Sequence, residues 1–190
     1  MLLLPLLTTL PFLSLSSALP TSSLSSPILP RAASLGAEVR SQIDVLNASV
    51  IELTAAVNAY DGSLLGVIPQ SLAVISATAK VDGTTVKTAW LTQLSGNFTV
   101  DESQSVVTTL ATLITPIRGS LEALGGKYDV FKKTLQVPVV LLSLKTLKKH
   151  TADLVEALGE KVTPDWAAIL AFGAPLLDAS FDEAIAIYSA

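Results

Sequence analysis

The chain of 190 residues contains no cysteine and one histidine, and its first 30 residues carry no Asp, Glu, Lys, Arg or His. Without cysteine there is no disulfide scaffold, the usual device by which small secreted domains offset a thin core, and no cysteine-rich surfactant or lipid-transfer fold. Packing alone must hold the fold. The scarcity of histidine bears on chemistry. Nucleophilic hydrolases set a nucleophile beside a base that is most often histidine, yet the one candidate, His150, directly follows Lys148-Lys149 and reads as part of a solvated helix face. The many serines lack the Gly-x-Ser-x-Gly elbow. Neither a histidine pair at ligand spacing nor an acidic calcium loop is present. Asp101-Glu102 and Asp182-Glu183 fall where a helix start or surface would use them, and Gly125-Gly126-Lys127 lacks the spacing and hydroxyl of a phosphate loop. No catalytic residue, metal or cofactor is therefore expected. The net charge of -4 leaves no basic footprint, which excludes nucleic acid as the expected partner.

What the amino terminus does contain is an export signal. Leu2 to Leu15 supplies an apolar core, and Ser16-Ser17-Ala18 supplies small residues before a cut, although a basic n-region is missing. Pro5 and Pro11 interrupt the run, which is shorter than the ~20 residues of a membrane span, so no transmembrane anchor is expected. Residues 1–18 are thus read as a secretory signal peptide and 19–33 as a flexible Ser/Pro-rich segment. Residues 34–190 form one domain. An exported chain meets the glycosylation machinery, and two sequons qualify: Asn97-Phe98-Thr99, in a loop before a helix, and Asn47-Ala48-Ser49, on a helix flank.

Helical periodicity dominates the domain. Val39, Ile43, Leu46, Val50, Leu53 and Val57 recur at steps of three and four, and Asp61-Gly62 supplies a stop. A second block, from about Leu64 to Lys80, is apolar around most of its circumference and reads as a central helix, with Pro69 in its first turn. Asp82-Gly83 should break or bend it. Thr99 and Glu102 have the spacing of a capping box, followed by a stripe from Val106 to Leu124 that Pro116 should kink. A fourth stripe runs from Val140 to Leu158, with Gly159 as its stop. A fifth starts at Thr163-Pro164-Asp165 and should kink at Gly173 and Pro175. The predicted architecture is all-α: a single-domain bundle of about five helices, some kinked, without disulfides.

The surplus of aliphatic surface is the remaining signal. Leu64 to Ala79, Val137 to Leu144 and Trp166 to Leu177 hold more apolar face than one bundle seam uses. Composition alone favours a tight core. The sharper reading is a cavity for an acyl chain, or a face that meets a hydrophobic surface. The stripes give Leu110, Leu113, Ile117, Leu144, Leu147, Ile169, Phe172 and Leu176 as ligand-cavity candidates, equally readable as plain core.

Ile43 to Tyr60 with Asp61-Gly62, Ser71 to Val81, Val106 to Leu124 leading into Lys132-Lys133, Leu144-Lys145-x-Leu147-Lys148-x-x-Thr151 and Ala157-Leu158-x-x-Lys161-Val162 together resemble the fungal hydrophobic surface-binding proteins. That group includes the antigenic cell-wall galactomannoproteins, and the resemblance spans roughly residues 38–188. It implies a secreted, non-enzymatic protein that binds hydrophobic surfaces or fatty acids and other lipids at the fungal cell exterior. It leaves open a structural or antigenic wall mannoprotein that displays glycans beside cell-wall polysaccharide. It also permits an accessory that recruits a secreted hydrolase to a hydrophobic substrate. Some members carry a Ser/Thr-rich stalk and a lipid anchor. Here the sequence ends at Ile187-Tyr188-Ser189-Ala190, so release or loose wall association is expected.

Overall fold

The computed structural model describes residues 33–63 and 65–190. The expected signal peptide and all but the last residue of the Ser/Pro-rich segment lie outside the described residues. The described residues form seven helices: α1 (Gly36–Ala59), α2 (Val67–Leu94), α3 (Val100–Thr112), α4 (Ile114–Gly126), the single-turn-plus α5 (Tyr128–Lys133), α6 (Val137–Lys161) and α7 (Pro164–Ser189). Described residues contain no strand. The bundle is all-α, as predicted.

Five posts close into a ring. α1 packs on α2, α2 on α6, α6 on α7, α7 on the α3–α4 pair, and that pair on α1. Polar contacts fix the directions. The Leu35 N–H donates to Ser95 Oγ at 2.8 Å, so α1 and α2 are antiparallel. Ser34 reaches Glu102 at one end and Lys127 reaches the Asn58 carbonyl at the other, so α3–α4 runs with α1. The Thr163 N–H donates to Ser103 Oγ, and the Tyr188 hydroxyl donates to the Leu124 carbonyl, which sets α7 parallel to α3–α4.

The stripe from Val39 to Val57 is buried along its full length, none of its six residues more than 4% exposed. At the start of α3 the Thr99 hydroxyl accepts from the Glu102 N–H, while the Glu102 carboxylate accepts from the Thr99 N–H, which is the predicted capping box. The same carboxylate also accepts from Ser34. These donors, the Thr99 N–H first, hold the Glu102 carboxyl below the usual range.

Three expectations are corrected. Asp82-Gly83 does not break the second block, because α2 continues to Leu94. An interior Gly costs only about 1 kcal/mol, and burial of Val81, Thr85, Thr88 and Ala89 on either side outweighs it. Gly159 is no stop, since α6 extends to Lys161. Pro116 separates two helices, where a kink within one was expected. It cannot donate to the Thr112 carbonyl, so the ladder opens at Leu113 and α4 begins with Pro116 in its first turn, where a missing N–H is tolerated. By contrast, Pro175 stands inside an unbroken α7.

An aromatic cluster closes the end of the ring at α5. Phe131 stacks on Tyr60 with ring centroids 4.5 Å apart, and Tyr128 meets Tyr188 edge-on at 5.3 Å. Burial pushes the Tyr188 phenol well above its ordinary pKa, so it stays a neutral donor to Leu124. Gly62, at φ 68°, makes the turn beneath, and a Cβ there would lie 2.7 Å from Val130.

Candidate ligand cavity and apolar face

Along the axis of the ring lies a cavity of about 40 Å³ to which every post contributes: Leu46, Val50 and Leu53 from α1, Val81 and Thr85 from α2, Leu110 from α3, Ile117, Ser120 and Leu121 from α4, Leu147 and Leu154 from α6, and Leu177 and Phe181 from α7. No lining residue is ionisable. Its volume is well below the ~300 Å³ at which small-molecule sites begin. Two larger grooves share its walls, however. A groove of about 260 Å³ between α2 and α6 shares Leu53, Leu124 and Leu147 with it. A second, of about 360 Å³ between α6 and α7, shares Thr151, Val155, Leu177 and Phe181.

The groove between α6 and α7 is walled by small residues, Ala152, Ala171 and Ala174, together with Pro175. Pro175 leaves the Ala171 carbonyl without its helical donor, which loosens α7 at this point. Lys148 stands at the rim, with its Nζ 2.6 Å from Asp182 and 3.1 Å from Asp178. The Asp182 hydrogen bond, joined by Asp178, raises the Lys148 pKa and keeps it charged.

Surplus apolar surface outside the ring includes a flank on the halves of α2 and α6 nearest α5. Ile68, Leu72 and Ile75 follow one another at steps of four and three on α2 and are 71%, 61% and 48% exposed. Val139 and Leu142 of α6 stand half to two-thirds exposed across the same groove as Ile75. No charge occurs between Asp61 and Lys80, or between Lys133 and Lys145. The second block is therefore an outer post, whereas a central helix was expected: in a ring of posts no helix is enclosed on all sides, so an all-round apolar sequence must show one face to solvent. Leu135, 87% exposed, adjoins this surface with φ at 59°, the only non-glycine in the left-handed region among the described residues. It directly follows Thr134, the C-cap of α5, where the Gln136 N–H donates to the Phe131 carbonyl and the Leu135 N–H to that of Lys132. Glycine would normally fill such a position, so an exposed leucine there costs stability.

The cavity candidates divide into two groups. Leu110, Leu113, Ile117 and Leu147 line the central cavity, and Leu144 lines the α2–α6 groove. Ile169, Phe172 and Leu176 do not join them. They are 51%, 83% and 55% exposed, because the inward positions of α7 are Leu170, Leu177 and Phe181. Asn97 is exposed in the loop between α2 and α3, whereas Asn47 is half-buried on α1 and its Oδ1 lacks a hydrogen-bond partner among the described residues. His150 is less solvated than its neighbours implied: its Nδ1 lies 2.6 Å from Asp82 Oδ1, tying α6 to α2. Sequence reasoning missed Ser120, whose only signal was a hydroxyl within an apolar stripe. Among the described residues no cluster of three metal-ligating side chains occurs, and no helix is long and apolar enough to cross a membrane.

A ring of five helical posts around a cavity with no ionisable lining residue, with a charge-free apolar flank, defines a helical binding protein for apolar ligands or surfaces. The comparisons give that class a family. Residues 36–160 match the family described as hydrophobic surface binding protein A, and the chain belongs to it. Among solved structures it is similar to AfMP4p in complex with palmitic acid, at 25% identity and a TM-score of 0.77, over 80% of this chain and 99% of that one. Its fold is also that of ligand binding domain 1 of Penicillium marneffei MP1, complexed with arachidonic acids, at 15% identity and a TM-score of 0.74, over 82% and 99% of the two chains. Ligand binding domain 2 of the same MP1 protein, complexed with multiple arachidonic acids, shares the fold at 15% identity and a TM-score of 0.71, over 78% and 92%. No match was found among curated proteins.

Proposed function

We propose that this protein is a secreted, non-enzymatic binder of fatty-acid-like lipids and hydrophobic surfaces, acting at the fungal cell exterior in release or in loose association with the wall. The observation that carries the reading is the interior itself: all five posts wall a cavity without one ionisable group, and it abuts two grooves. Such a lining has nothing with which to polarise a bond or stabilise a developing charge, and it matches hydrocarbon. The palmitic acid in AfMP4p supports the choice of ligand. The Asp82–His150 pair acts as an inter-helix tie, since no hydroxyl is hydrogen-bonded to the other imidazole nitrogen among the described residues.

In this reading the inside and the outside have separate tasks. The interior takes an acyl chain, and the flank formed by Leu72, Ile75, Val139 and Leu142 lies against a waxy or polymeric surface. Residues 1–18 direct export and 19–33 lead into the folded domain of 34–190. A glycan on Asn97 would sit at the end of the ring opposite α5, clear of the apolar flank, whereas Asn47 is hindered by its helix. Organic extraction of purified protein, before and after loading with palmitic acid, tests the lipid reading by mass spectrometry. Recovery of palmitic acid at near-stoichiometric amount is expected. Its absence after loading would refute lipid binding.

A further inference from the structure

We propose that the interior selects acyl chains bearing a neutral hydroxyl group, and that Ser120 is the residue that recognises it. The proposal deepens the lipid reading above and rests on it. Ser120 lies on α4, is 4% exposed and lines the central cavity, and its Oγ has no hydrogen-bond partner among the described residues. Elsewhere in the bundle helical hydroxyls satisfy themselves locally: Ser49, Thr78, Thr85, Thr88 and Thr92 each donate to the carbonyl four residues back at 2.7–2.9 Å. By the same rule Ser120 would bond to the Pro116 carbonyl, and it does not.

An unpaired buried hydroxyl is unfavourable, because it has given up water without gaining a partner. The cavity offers little relief. The other hydroxyls in the lining, on Thr85 and Thr151, are not hydrogen-bonded to Ser120, and the rest of the wall is aliphatic apart from Phe181. A plain alkyl chain would leave Ser120 as it is. An ionised carboxylate would satisfy it, but would be desolvated with no cation in the lining to balance it. A hydroxyl on the chain meets both constraints, since it can accept from Ser120 or donate to it and carries no charge. The acid group of the ligand then remains outside the cavity, in water.

Calorimetric titration of the full-length protein with hexadecanoic acid, 16-hydroxyhexadecanoic acid and 10,16-dihydroxyhexadecanoic acid tests this. At least one hydroxylated acid should bind about fivefold to tenfold more tightly than hexadecanoic acid. In Ser120→Ala the ratio should fall to about one, with hexadecanoic acid bound at least as well as before. Alanine is the best helix former, so the variant retains the fold. A ratio near one in the unmodified protein, or a preference that survives in Ser120→Ala, would overturn the role of Ser120 and leave the lipid reading standing. Failure of all three acids to bind would overturn both.

Discussion

Replacing Leu72 and Leu142 with aspartate should abolish most adsorption to hydrophobic surfaces while leaving the fold intact. Leu72, Ile75, Val139 and Leu142 are 48–67% exposed on one charge-free flank. Full burial of a side chain of this size is worth about 1.5–3 kcal/mol, so covering what remains exposed contributes about 1–2 kcal/mol each. The four together supply about 4–8 kcal/mol of apolar contact, and Leu72 and Leu142 about half of it. Losing that half weakens adsorption about 30- to 700-fold in apparent Kd, and desolvating two new carboxylates weakens it further. Adsorption isotherms on a methyl-terminated quartz-crystal-microbalance sensor, at fixed ionic strength, measure the change. Circular dichroism melts should show little difference, because neither leucine lies in the core. The reasoning fails if Leu72→Asp/Leu142→Asp adsorbs as the unmodified protein does. It fails more instructively if Phe172→Asp, on α7 and 83% exposed, abolishes adsorption instead.

Leu135→Gly should raise the melting temperature or leave it unchanged, by relieving a left-handed leucine, while weakening adsorption on the same sensor; a marked loss of stability would show that Leu135 is not strained. Leu113→Ala, at a position 1% exposed, should cost about 2–5 kcal/mol in urea denaturation and enlarge the cavity, increasing palmitic acid uptake per protein. For Glu102 the folded pKa lies below the ordinary 4.5, so its stabilisation is complete above that value and lost as pH falls through the folded pKa. Glu102→Gln should therefore melt lower than the unmodified protein at pH 6, with the gap closing in acid; a gap independent of pH would contradict the assignment.

Legibility in the sequence depended on contrast. The α1 stripe alternates with Arg40, Asp44 and Glu52, so its inward face could be read directly, and every stripe residue is buried. The capping box was legible because both partners lie within one turn. In α7 contrast disappears: Trp166 to Leu177 holds no charge, periodicity cannot rank Ile169 over Leu170, and Ile169, Phe172 and Leu176 fall outside the ring. The same lack of contrast concealed the outward face of α2. Asp82-Gly83 has the local chemistry of a turn, but Asp82 finds its partner in His150, 68 positions away, and the helix persists. Only a hydroxyl within an apolar stripe marks Ser120, since the cavity it lines exists only where five helices meet.

The interior is almost full, yet the bundle is built to yield. Filling a cavity of about 40 Å³ with an acyl chain requires displaced side chains. Leu and Val rotamers can move only where space adjoins them, and here it does: grooves of about 260 and 360 Å³ share seven wall residues with the cavity, Leu53, Leu124 and Leu147 on one side, Thr151, Val155, Leu177 and Phe181 on the other. The α6–α7 side is the easier to open. Its alanine side chains are small, Pro175 has already removed one helical hydrogen bond, and the polar link at its rim is the solvent-accessible Lys148–Asp178–Asp182 cluster, a kind of pair that contributes little in water. The opposite wall, where α1 buries an unbroken stripe against the α3–α4 pair, would lose several fully buried side chains by moving. Displacement of α7 is therefore the least costly route to dilation, and filling Ala171 or Ala174 with leucine should slow palmitic acid uptake far more than it lowers stability.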